Sequence, residues 1–350
     1  AAAAPQGTLR VALTAMPNSL DMPKAAEKNA TNVCWSIYDS LIWVDENGVV
    51  QPALAESWTV SEDQKTYTFQ LRQGVRFHNG EPFTADAVVF SWKRASAPDM
   101  KYRDRWTVAE TVEKVDDYTV KITTSEPSPL LLRIMHSDWA IVPPGYVSKV
   151  GDAEFAANPV GTGPFKFKRW AKGDRIELVA NPDYWQAGFP KVENLIFRPI
   201  PESTTRLAAI QTGEIDIVTR LSNEEAMQLQ SNPKVRLVEY PIDRVFYIAF
   251  NNLTTGKGQP TESPLVRQAM NYAVDIDMIL EALFNGKGRP STGLITPENL
   301  GFDKNIKPFG YDPDRARKLL AQAGYPDGFK IGFACPAGAY ANFEQVCEAI

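Results

Sequence analysis

The amino-acid sequence predicts an α/β fold built from several strand–helix units. Apolar and polar residues alternate over residues 8–14 and again over residues 66–72, which is the pattern of strands that bury one face. Helical spacing of apolar residues follows both segments, and the order helix, glycine, strand occurs over residues 203–218. Because strands and helices alternate along the chain, we expect sheets covered by helices rather than an all-α or all-β domain.

Five elements are predicted in roughly the first third of the chain. The strand at residues 8–14 leads into a helical pattern that contains Val33. The strand at residues 66–72 precedes a helix with Thr84 as its N-cap, and a further strand is predicted at residues 118–123. This part of the sequence therefore alternates strands and helices as one compact unit.

The middle third of the chain repeats the alternation. Strands are predicted at residues 175–179 and 192–200, and a helix at residues 204–211 has Ser203 as its N-cap. Gly213 is expected to end this helix, because glycine readily adopts the left-handed conformation found there. A short buried strand is expected directly afterwards, at residues 215–218.

The last third of the chain predicts a linker and further elements. The polar segment at residues 252–258 is predicted to be a linker between the elements before it and those after it. Pro264 and Pro313 suit the first helical position, where no hydrogen-bond donor is lost. The predicted elements are strands at 235–240, 245–251 and 330–334, and helices after Ser263, after Asp312 and from Asn342.

Composition and charge exclude several functional classes. The 350 residues carry a net charge of −5, which argues against a nucleic-acid partner, since such proteins usually present a basic face. No apolar run approaches the roughly 18 residues that a membrane-spanning helix needs. With 2 His and 3 Cys, the chain has too few ligands for a familiar zinc or haem site, so no metal or cofactor is predicted.

The sequence also lacks the motifs of an enzyme. No serine lies in a G-x-S-x-G elbow, and His78, in a turn between a strand and a helix, is more typical of a structural histidine. The segment 161–164 resembles a phosphate loop only superficially, because the following Lys-Ser/Thr pair is missing and Pro164 removes a backbone donor. We therefore predict that the protein is not an enzyme.

The cysteines and the N-terminus suggest export. Cys335 and Cys347 could form a disulfide that closes a loop of roughly a dozen residues, which only their geometry can decide. Cys34 is expected to be a small buried apolar residue. The small residues 1–4 before Pro5 look like the product of signal-peptide removal; a cloning scar or a frayed tail is the alternative.

Four sequence blocks, in the same order, resemble family 5 of the extracellular solute-binding proteins. These are receptors of ABC importers for dipeptides, oligopeptides and nickel. Residues 54–93 (LAESWTVSEDQKTYTFQLRQGVRFHNGEPFTADAVVFSWK) are similar to the family signature. The other blocks are residues 159–184 (PVGTGPFKFKRWAKGDRIELVANPDY), 266–286 (VRQAMNYAVDIDMILEALFNG) and 311–329 (YDPDRARKLLAQAGYPDGF).

The resemblance implies a two-lobed periplasmic binding protein type II fold with an extra subdomain in lobe I, and a hinge near residues 251–258. Known members are longer, so we expect the sequence to be a portion of a longer chain with lobe II incomplete. The implied domains are lobe I ligand-side subdomain 1–42 and 159–252, its outer extra subdomain 43–158, and lobe II 253–350.

The resemblance also implies ligand contacts from the loop after the first strand, from aromatic residues of the first lobe and from the hinge side. The alternatives are a core role for each Trp and a hinge role for Asn251. Arg103 and Arg105 could meet an anionic ligand or be solvated surface charges. The implied ligand-binding residues are Met16, Asn18, Ser19, Trp106, Trp139, Phe246, Tyr247 and Asn251.

The function implied by the resemblance is that of a monomeric periplasmic receptor. It would capture a small solute by hinged lobe closure and deliver it to the membrane permease of an ABC importer, with a di- or oligopeptide as the first choice of solute. A sugar, an opine-like conjugate or a metal chelate are alternative solutes. A ligand-sensing adaptor for a chemoreceptor and an exported hydrolase are alternatives from other functional classes.

Overall fold

The structure is a computed structural model, and contacts within the chain divide it into two compact units. Unit 1 comprises Ala1–Leu221 and Ser231–Val235, and unit 2 comprises Ser222–Gln230 and Arg236–Ile350. Unit 2 thus begins at Ser222, earlier in the chain than the domain boundary expected at residues 252/253. That boundary stays a prediction. The described residues are 4–25, 28–240, 242, 244–254, 256–335 and 342–350.

The strands of the described residues lie in unit 1. Those expected at residues 8–14, 66–72, 118–123, 175–179 and 192–200 are confirmed within two residues at either end. The strands are β1 (Thr8–Leu13), β2 (Ile42–Val44), β3 (Val50–Pro52), β4 (Ala55–Val60), β5 (Thr66–Leu71), β6 (Thr111–Asp116), β7 (Thr119–Thr123), β8 (Phe165–Ala171), β9 (Arg175–Ala180) and β10 (Asn194–Pro199).

Helices occur in both units. Those of the described part of unit 1 are α1 (Lys28–Ile37), α2 (Ala85–Ala95), α3 (Leu131–Asp138), α4 (Pro144–Ala157) and α5 (Ser203–Thr212). Those of the described part of unit 2 are α6 (Asn223–Gln230), α7 (Pro264–Tyr272), α8 (Ile276–Phe284), α9 (Pro313–Gln322) and α10 (Phe343–Ala349). No helix among the described residues is long and apolar enough to cross a membrane.

One four-stranded sheet, the inner sheet, is mixed. Its order is β1-β10-β9-β8, and β1 pairs with β10 in parallel while the other neighbours are antiparallel. The strand expected at residues 215–218 is reduced to a parallel bridge between Ile217 and Val11. We call residues 215–218 the Ile217 segment. Because β1, β10 and this segment run parallel, their carboxyl ends lie at the same edge of the sheet, which we call the carboxyl edge.

A second four-stranded sheet, the outer sheet, is antiparallel with the order β4-β5-β7-β6. Tyr67, Phe69 and Leu71 of β5 are buried, as their alternation predicts, and α2 packs against β6 and β7. Large hydrophobic clusters lie on both sheets of unit 1, and Cys34 is buried in the cluster of the inner sheet. A separate hairpin of β2 and β3 completes the strands.

Unit 2 corrects part of the sequence analysis. The strands predicted at residues 235–240, 245–251 and 330–334 are wrong: the described residues there form no ladder. A strand needs a partner for its N–H and C=O groups, and the described segments of unit 2 offer none. Their apolar side chains consequently stay exposed, as at Tyr240 and Phe333.

The predicted helix ends are mostly confirmed. Asp312 caps α9, because its carboxylate accepts from the Arg315 N–H at 2.9 Å, and Gly213 ends α5 with a φ of 75°. Ser203 is a correction: it is the first residue of α5, and Glu202 occupies the N-cap position. The helix includes Ser203 because the extended backbone required of an N-cap occurs one residue earlier, at Glu202.

The structure joins Cys335 and Cys347 in a disulfide with a Cα–Cα distance of 6.4 Å. The bond ties α10 to the segment before it. Two further contacts fix this helix within unit 2: the Asn342 amide donates to the carbonyl of Leu283 at 2.7 Å, and the ring of Phe343 lies 5.3 Å from that of Phe246. Export, which a disulfide would suit, stays a prediction.

Candidate functional site

The carboxyl edge of the inner sheet is the candidate site of unit 1. Open α/β sheets bind ligands outside the carboxyl ends of their parallel strands, where loops and helix starts present polar groups. Here β1 ends at Leu13 beside Pro199 of β10, and the Ile217 segment leaves the sheet in the same direction. The loop at residues 14–19 therefore lies at this edge, as do residues 200–202 and 219–221.

The three residues predicted in the loop after β1 have different surroundings. Met16 is half-buried and packs against the hydrophobic cluster of the inner sheet. The Ser19 hydroxyl accepts from the N–H of Asp21 at 3.1 Å and so shapes the backbone turn. Asn18 is exposed. Of the three, Asn18 presents the most side-chain surface to a solute.

A polar cluster connects this loop with α1 and with the segment after Ile217. Asn29, the second residue of α1, is buried and its amide donates to the Thr14 hydroxyl at 3.2 Å. The guanidinium of Arg220 donates to the same hydroxyl at 3.4 Å. Thr14, directly after β1, thus joins the segments that meet at the carboxyl edge.

Arg206 of α5 fixes the backbone below this cluster. It is only 3% exposed, and its guanidinium donates to the carbonyls of Ile200 at 2.8 Å and Pro201 at 2.6 Å. A third bond runs to the carbonyl of Arg220 at 2.9 Å. Since a buried charge is stable only when it is well hydrogen-bonded, this arrangement constrains both chain segments that enter the edge.

Trp106 and Trp139 lie in the hydrophobic core of the outer sheet. Their rings stack with centroids 4.7 Å apart, and they are 1% and 0% exposed. The indole N–H of Trp139 donates to the carbonyl of Arg105 at 3.0 Å. The structure therefore gives both side chains a packing role, the alternative that was weighed against ligand contact, and their contact with a solute stays a prediction.

Arg105 is held by an ion pair near this tryptophan pair. Its guanidinium lies 2.6 Å from the carboxylate of Asp138 and stacks over the ring of Tyr102. Both partners belong to unit 1, so the charge of Arg105 already has a local counter-ion. An anionic solute would have to compete with Asp138 for this arginine.

The three predicted residues of unit 2 are exposed. The ring of Phe246 packs against Phe343, while Tyr247 is 64% exposed. The Asn251 side chain accepts from the N–H and hydroxyl of Thr254 at 3.2 and 2.9 Å. These bonds stabilise a turn, which fits the hinge alternative for Asn251; ligand contact by the three residues stays a prediction.

His78 contacts Gly161 and Gly163, and these glycines contact the end of α1. We call this set of contacts the junction, and the sequence did not reveal it. The His78 Nδ1 accepts from the Gly161 N–H at 3.3 Å, so the hydrogen is on Nε2, which faces the Gly163 carbonyl at 2.9 Å. Burial lowers the pKa of His78 to about 4, and the charge of Lys166 adds to this effect. The ring is therefore neutral and structural, as expected of a lone histidine.

The two glycines of this junction allow a close approach to the end of α1. A Cβ on Gly161 would lie 2.2 Å from the carbonyl oxygen of Ile37, and one on Gly163 would lie 2.5 Å from the carbonyl carbon of the same residue. The Gly163 N–H donates to that oxygen at 2.8 Å. The G-T-G sequence thus serves packing against α1 and not phosphate binding.

A buried carboxylate, Asp39, completes the junction. It accepts from the hydroxyls of Thr162 at 2.9 Å and Tyr184 at 3.0 Å, and from the indole N–H of Trp185 at 3.0 Å. Burial raises the pKa of Asp39 although these three hydrogen bonds act in the opposite direction. A sequence signal existed in the G-T-G-P motif, but its partners lie between 83 and more than a hundred residues away along the chain.

A second buried charge cluster holds the loop after β1 to α2 and α4. Arg94 makes two bonds to the fully buried carboxylate of Asp21, at 2.9 and 2.6 Å, and further bonds to Asp152. Lys24 pairs with Asp152 at 2.7 Å. Such bidentate pairing fixes the position of the loop and leaves these groups engaged with one another.

Within the described residues, no cluster of three or more His, Cys, Asp or Glu side chains could hold a metal ion. The side chains at the carboxyl edge offer hydroxyl, amide and guanidinium donors, and Glu202 adds one carboxylate. Chemically, this edge can bind and orient an anionic or polar solute.

Comparison with known proteins gives consistent matches. The family model for bacterial extracellular solute-binding proteins, family 5 middle, matches residues 49–350. The glutathione-binding protein GsiB of Salmonella paratyphi A is 37% identical over 315 residues, which are 89% of this chain and 60% of that protein. The chain therefore spans less than two thirds of the length of this relative.

Two solved structures extend the comparison. DppA from Helicobacter pylori, in complex with the peptide STSA, is 30% identical with a TM-score of 0.74, covering 93% of this chain and 67% of that chain. AgaA from A. tumefaciens R10, in complex with agropinic acid, is 30% identical with a TM-score of 0.78, covering 98% of this chain and 69% of that chain.

Proposed function

This chain belongs to family 5 of the bacterial extracellular solute-binding proteins, and we propose that it binds a small solute and delivers it to an ABC importer. Its α/β fold is that of the type II periplasmic binding proteins, and its relatives are binding proteins rather than enzymes. The observation that carries the proposal is the family match over residues 49–350.

A di- or oligopeptide is the solute class that we propose. DppA binds the tetrapeptide STSA, and GsiB binds glutathione, which is itself a modified tripeptide. An opine is the second candidate, because AgaA binds agropinic acid. Peptides and opines share carboxylate and amide groups, which match the donors found at the carboxyl edge.

The site that we propose for unit 1 is the carboxyl edge with the loop at residues 14–19. Asn18 is the predicted contact with the best access, and Met16 and Ser19 support the loop that carries it. Hinged closure, the periplasmic location, the permease as partner and the monomeric state are further parts of the proposal. They rest on membership of the family.

The proposal is tested by ligand retention and thermal shift on the natural-length protein. Native mass spectrometry of the purified protein identifies any retained solute. A thermal-shift panel then compares di-, tri- and tetrapeptides with opines, sugars and nickel chelates. We expect a peptide to raise the melting temperature in a saturable way, since a ligand at 100 times its Kd stabilises by about 2.7 kcal/mol.

The other outcomes would contradict the solute class or the transport function. A shift by opines or sugars alone would contradict the peptide class and leave the transport function standing. No shift by any class, together with no retained solute, would overturn the transport function. Chromatography of the peptides after incubation provides the control for the hydrolase alternative, and we expect them to be recovered intact.

A further inference from the structure

The carboxyl edge carries an arginine whose role the fold does not explain. Arg220 lies directly after the Ile217 segment, its side chain is exposed, and its polar contact is the long 3.4 Å bond to the Thr14 hydroxyl. Among the described residues, no ion pair within 4.0 Å includes Arg220. Its guanidinium is thus presented at the edge with its charge uncompensated by a direct partner.

The other arginines on these strands are different. Arg10 of β1 lies 3.8 Å from the carboxylate of Asp216, and Arg198 of β10 lies 2.7 Å from that of Glu214. Each has a carboxylate partner in the segment at residues 214–216, which follows α5. The nearest carboxylate in sequence after β10 at the carboxyl edge, Glu202, forms no such pair among the described residues.

Arg220 has a strained backbone conformation. Its φ is 58°, in the left-handed region that arginine rarely occupies. The bond from buried Arg206 to the carbonyl of Arg220 holds this conformation. Strained residues that are held by their surroundings cluster at ligand sites, which makes Arg220 a candidate for such a site.

We propose that Arg220 binds the C-terminal carboxylate of the solute at the carboxyl edge, with Arg206 as the positioning residue. The inference rests on the proposed function and deepens it by assigning one subsite and its chemistry. A guanidinium offers two parallel N–H donors that match a carboxylate, which a lysine ammonium cannot reproduce. The Arg220 guanidinium donates to the Thr14 hydroxyl, and the Asn29 amide in turn holds this hydroxyl at the end of β1.

The test changes the arginine and the carboxylate together. Affinities for the peptide STSA and for glutathione are measured by calorimetry, each as the free acid and as the C-terminal amide, with the natural-length protein and with Arg220→Gln. We expect Arg220→Gln to weaken binding of the free acids by roughly 10- to 100-fold, the loss of a charge-assisted hydrogen bond, and binding of the amides by less than about twofold.

Two variants control the experiment. Arg198→Gln removes the same charge from the same sheet at a paired arginine, and its affinities should stay within about twofold of the unmodified protein. Arg220→Gly relieves the backbone strain, so it should keep or raise the melting temperature while it loses affinity for the free acid. This second variant serves as the test if Arg220→Gln does not fold.

The outcomes separate the two proposals. Equal loss for acid and amide, or no loss, would overturn the role of Arg220 while leaving the transport function intact. An unmodified protein that binds only a neutral solute would overturn the carboxylate subsite alone. Absence of binding to every solute class in the panel would overturn both.

Discussion

Unit 1 and unit 2 contain the same kind of sequence pattern and use it differently. Residues 66–71 of unit 1 and residues 245–251 of unit 2 both alternate or cluster β-forming apolar residues. In unit 1 the pattern forms a ladder, and Tyr67 is 3% exposed. In unit 2 the described residues form no ladder, and Tyr247 is mostly exposed.

The difference shows that an apolar β pattern alone does not make a segment a strand, because the segment also needs a neighbouring strand to pair with. Strand β5 lies between β4 and β7, so both of its edges are hydrogen-bonded and its apolar face is covered by the core. The segments of unit 2 have no such neighbours among the described residues. The β-forming side chains of these segments are therefore exposed because the segments lack pairing partners, and not because of their own sequence.

The chain offers a direct way to observe the two units separately. All 8 tryptophans lie at or before Trp185 and therefore belong to unit 1. The disulfide, by contrast, lies in unit 2. Intrinsic tryptophan fluorescence thus reports unfolding of unit 1, whereas far-ultraviolet circular dichroism reports both units.

The largest expected effect is that of Gly163→Ala, which would break unit 1. The new Cβ would lie within 3 Å of backbone atoms of Ile37 and Tyr38, which cannot move like a flexible side chain. We expect a loss of roughly 3 to 5 kcal/mol in the free energy of unfolding, measured by urea denaturation with tryptophan fluorescence. Gly310→Ala in unit 2, where the space is open, is the control. Because unit 2 has no tryptophan, its free energy of unfolding is followed by far-ultraviolet circular dichroism and should change by less than about 0.5 kcal/mol. Equal effects of the two substitutions would contradict the close packing at the junction.

Removal of the disulfide should act on unit 2 instead. Replacing Cys335 and Cys347 together by serine releases a loop with a sequence separation of 12 residues, for which the chain-entropy model gives about 2 to 3 kcal/mol. We expect the circular-dichroism transition to shift and the tryptophan transition to keep its midpoint. A shift of both transitions by the same amount would show that the units unfold together, which would remove the distinction between them.

The third effect is the pH dependence contributed by His78. Its pKa in the folded protein is about 4, below the ordinary 6.5. Between these two pH values the imidazole is therefore protonated in the unfolded chain and neutral in the folded protein. Stability is therefore lost as the pH falls from 6.5 towards 4, by about 2 kcal/mol at pH 5. Tryptophan-monitored unfolding at pH 7 and pH 5 measures this loss.

The variant His78→Asn serves as the control for this prediction. It should be less stable at pH 7 and should show a smaller loss between pH 7 and pH 5 than the unmodified protein. Asp39 contributes with the opposite sign, because its raised pKa lets the folded state bind a proton before the unfolded chain does. An unchanged slope in His78→Asn would contradict the assignment of this pH dependence to His78.

Local signals in the sequence predicted local structure well. The alternation around Phe69, the cap at Asp312 and the ending glycine at 213 are all found in the structure. These features depend on hydrogen bonds and side-chain periodicity within a few residues. They are readable without knowing what lies elsewhere in the chain.

Features that depend on distant partners could not be predicted. The contact of Gly163 with Ile37, the cluster around Arg206 and the failure of the strand at 245–251 all depend on which segments meet. The candidate site shows the same limit: Asn18 was identified through the family resemblance, whereas Arg220 stands out only by its backbone conformation and by its lack of an ion pair.

The arrangement of β1 has a consequence for the order in which the protein can fold. The N–H of Arg10 in β1 bonds to the carboxylate of Asp216, 206 residues away along the chain. During synthesis at roughly 5 to 20 residues per second, the first strand waits about 10 to 40 s for these partners to emerge. Contacts of such large sequence separation also slow folding of the finished chain, because a long loop must close before they form. The nascent chain consequently passes through a long period in which its first strand is available to chaperones rather than to its own sheet.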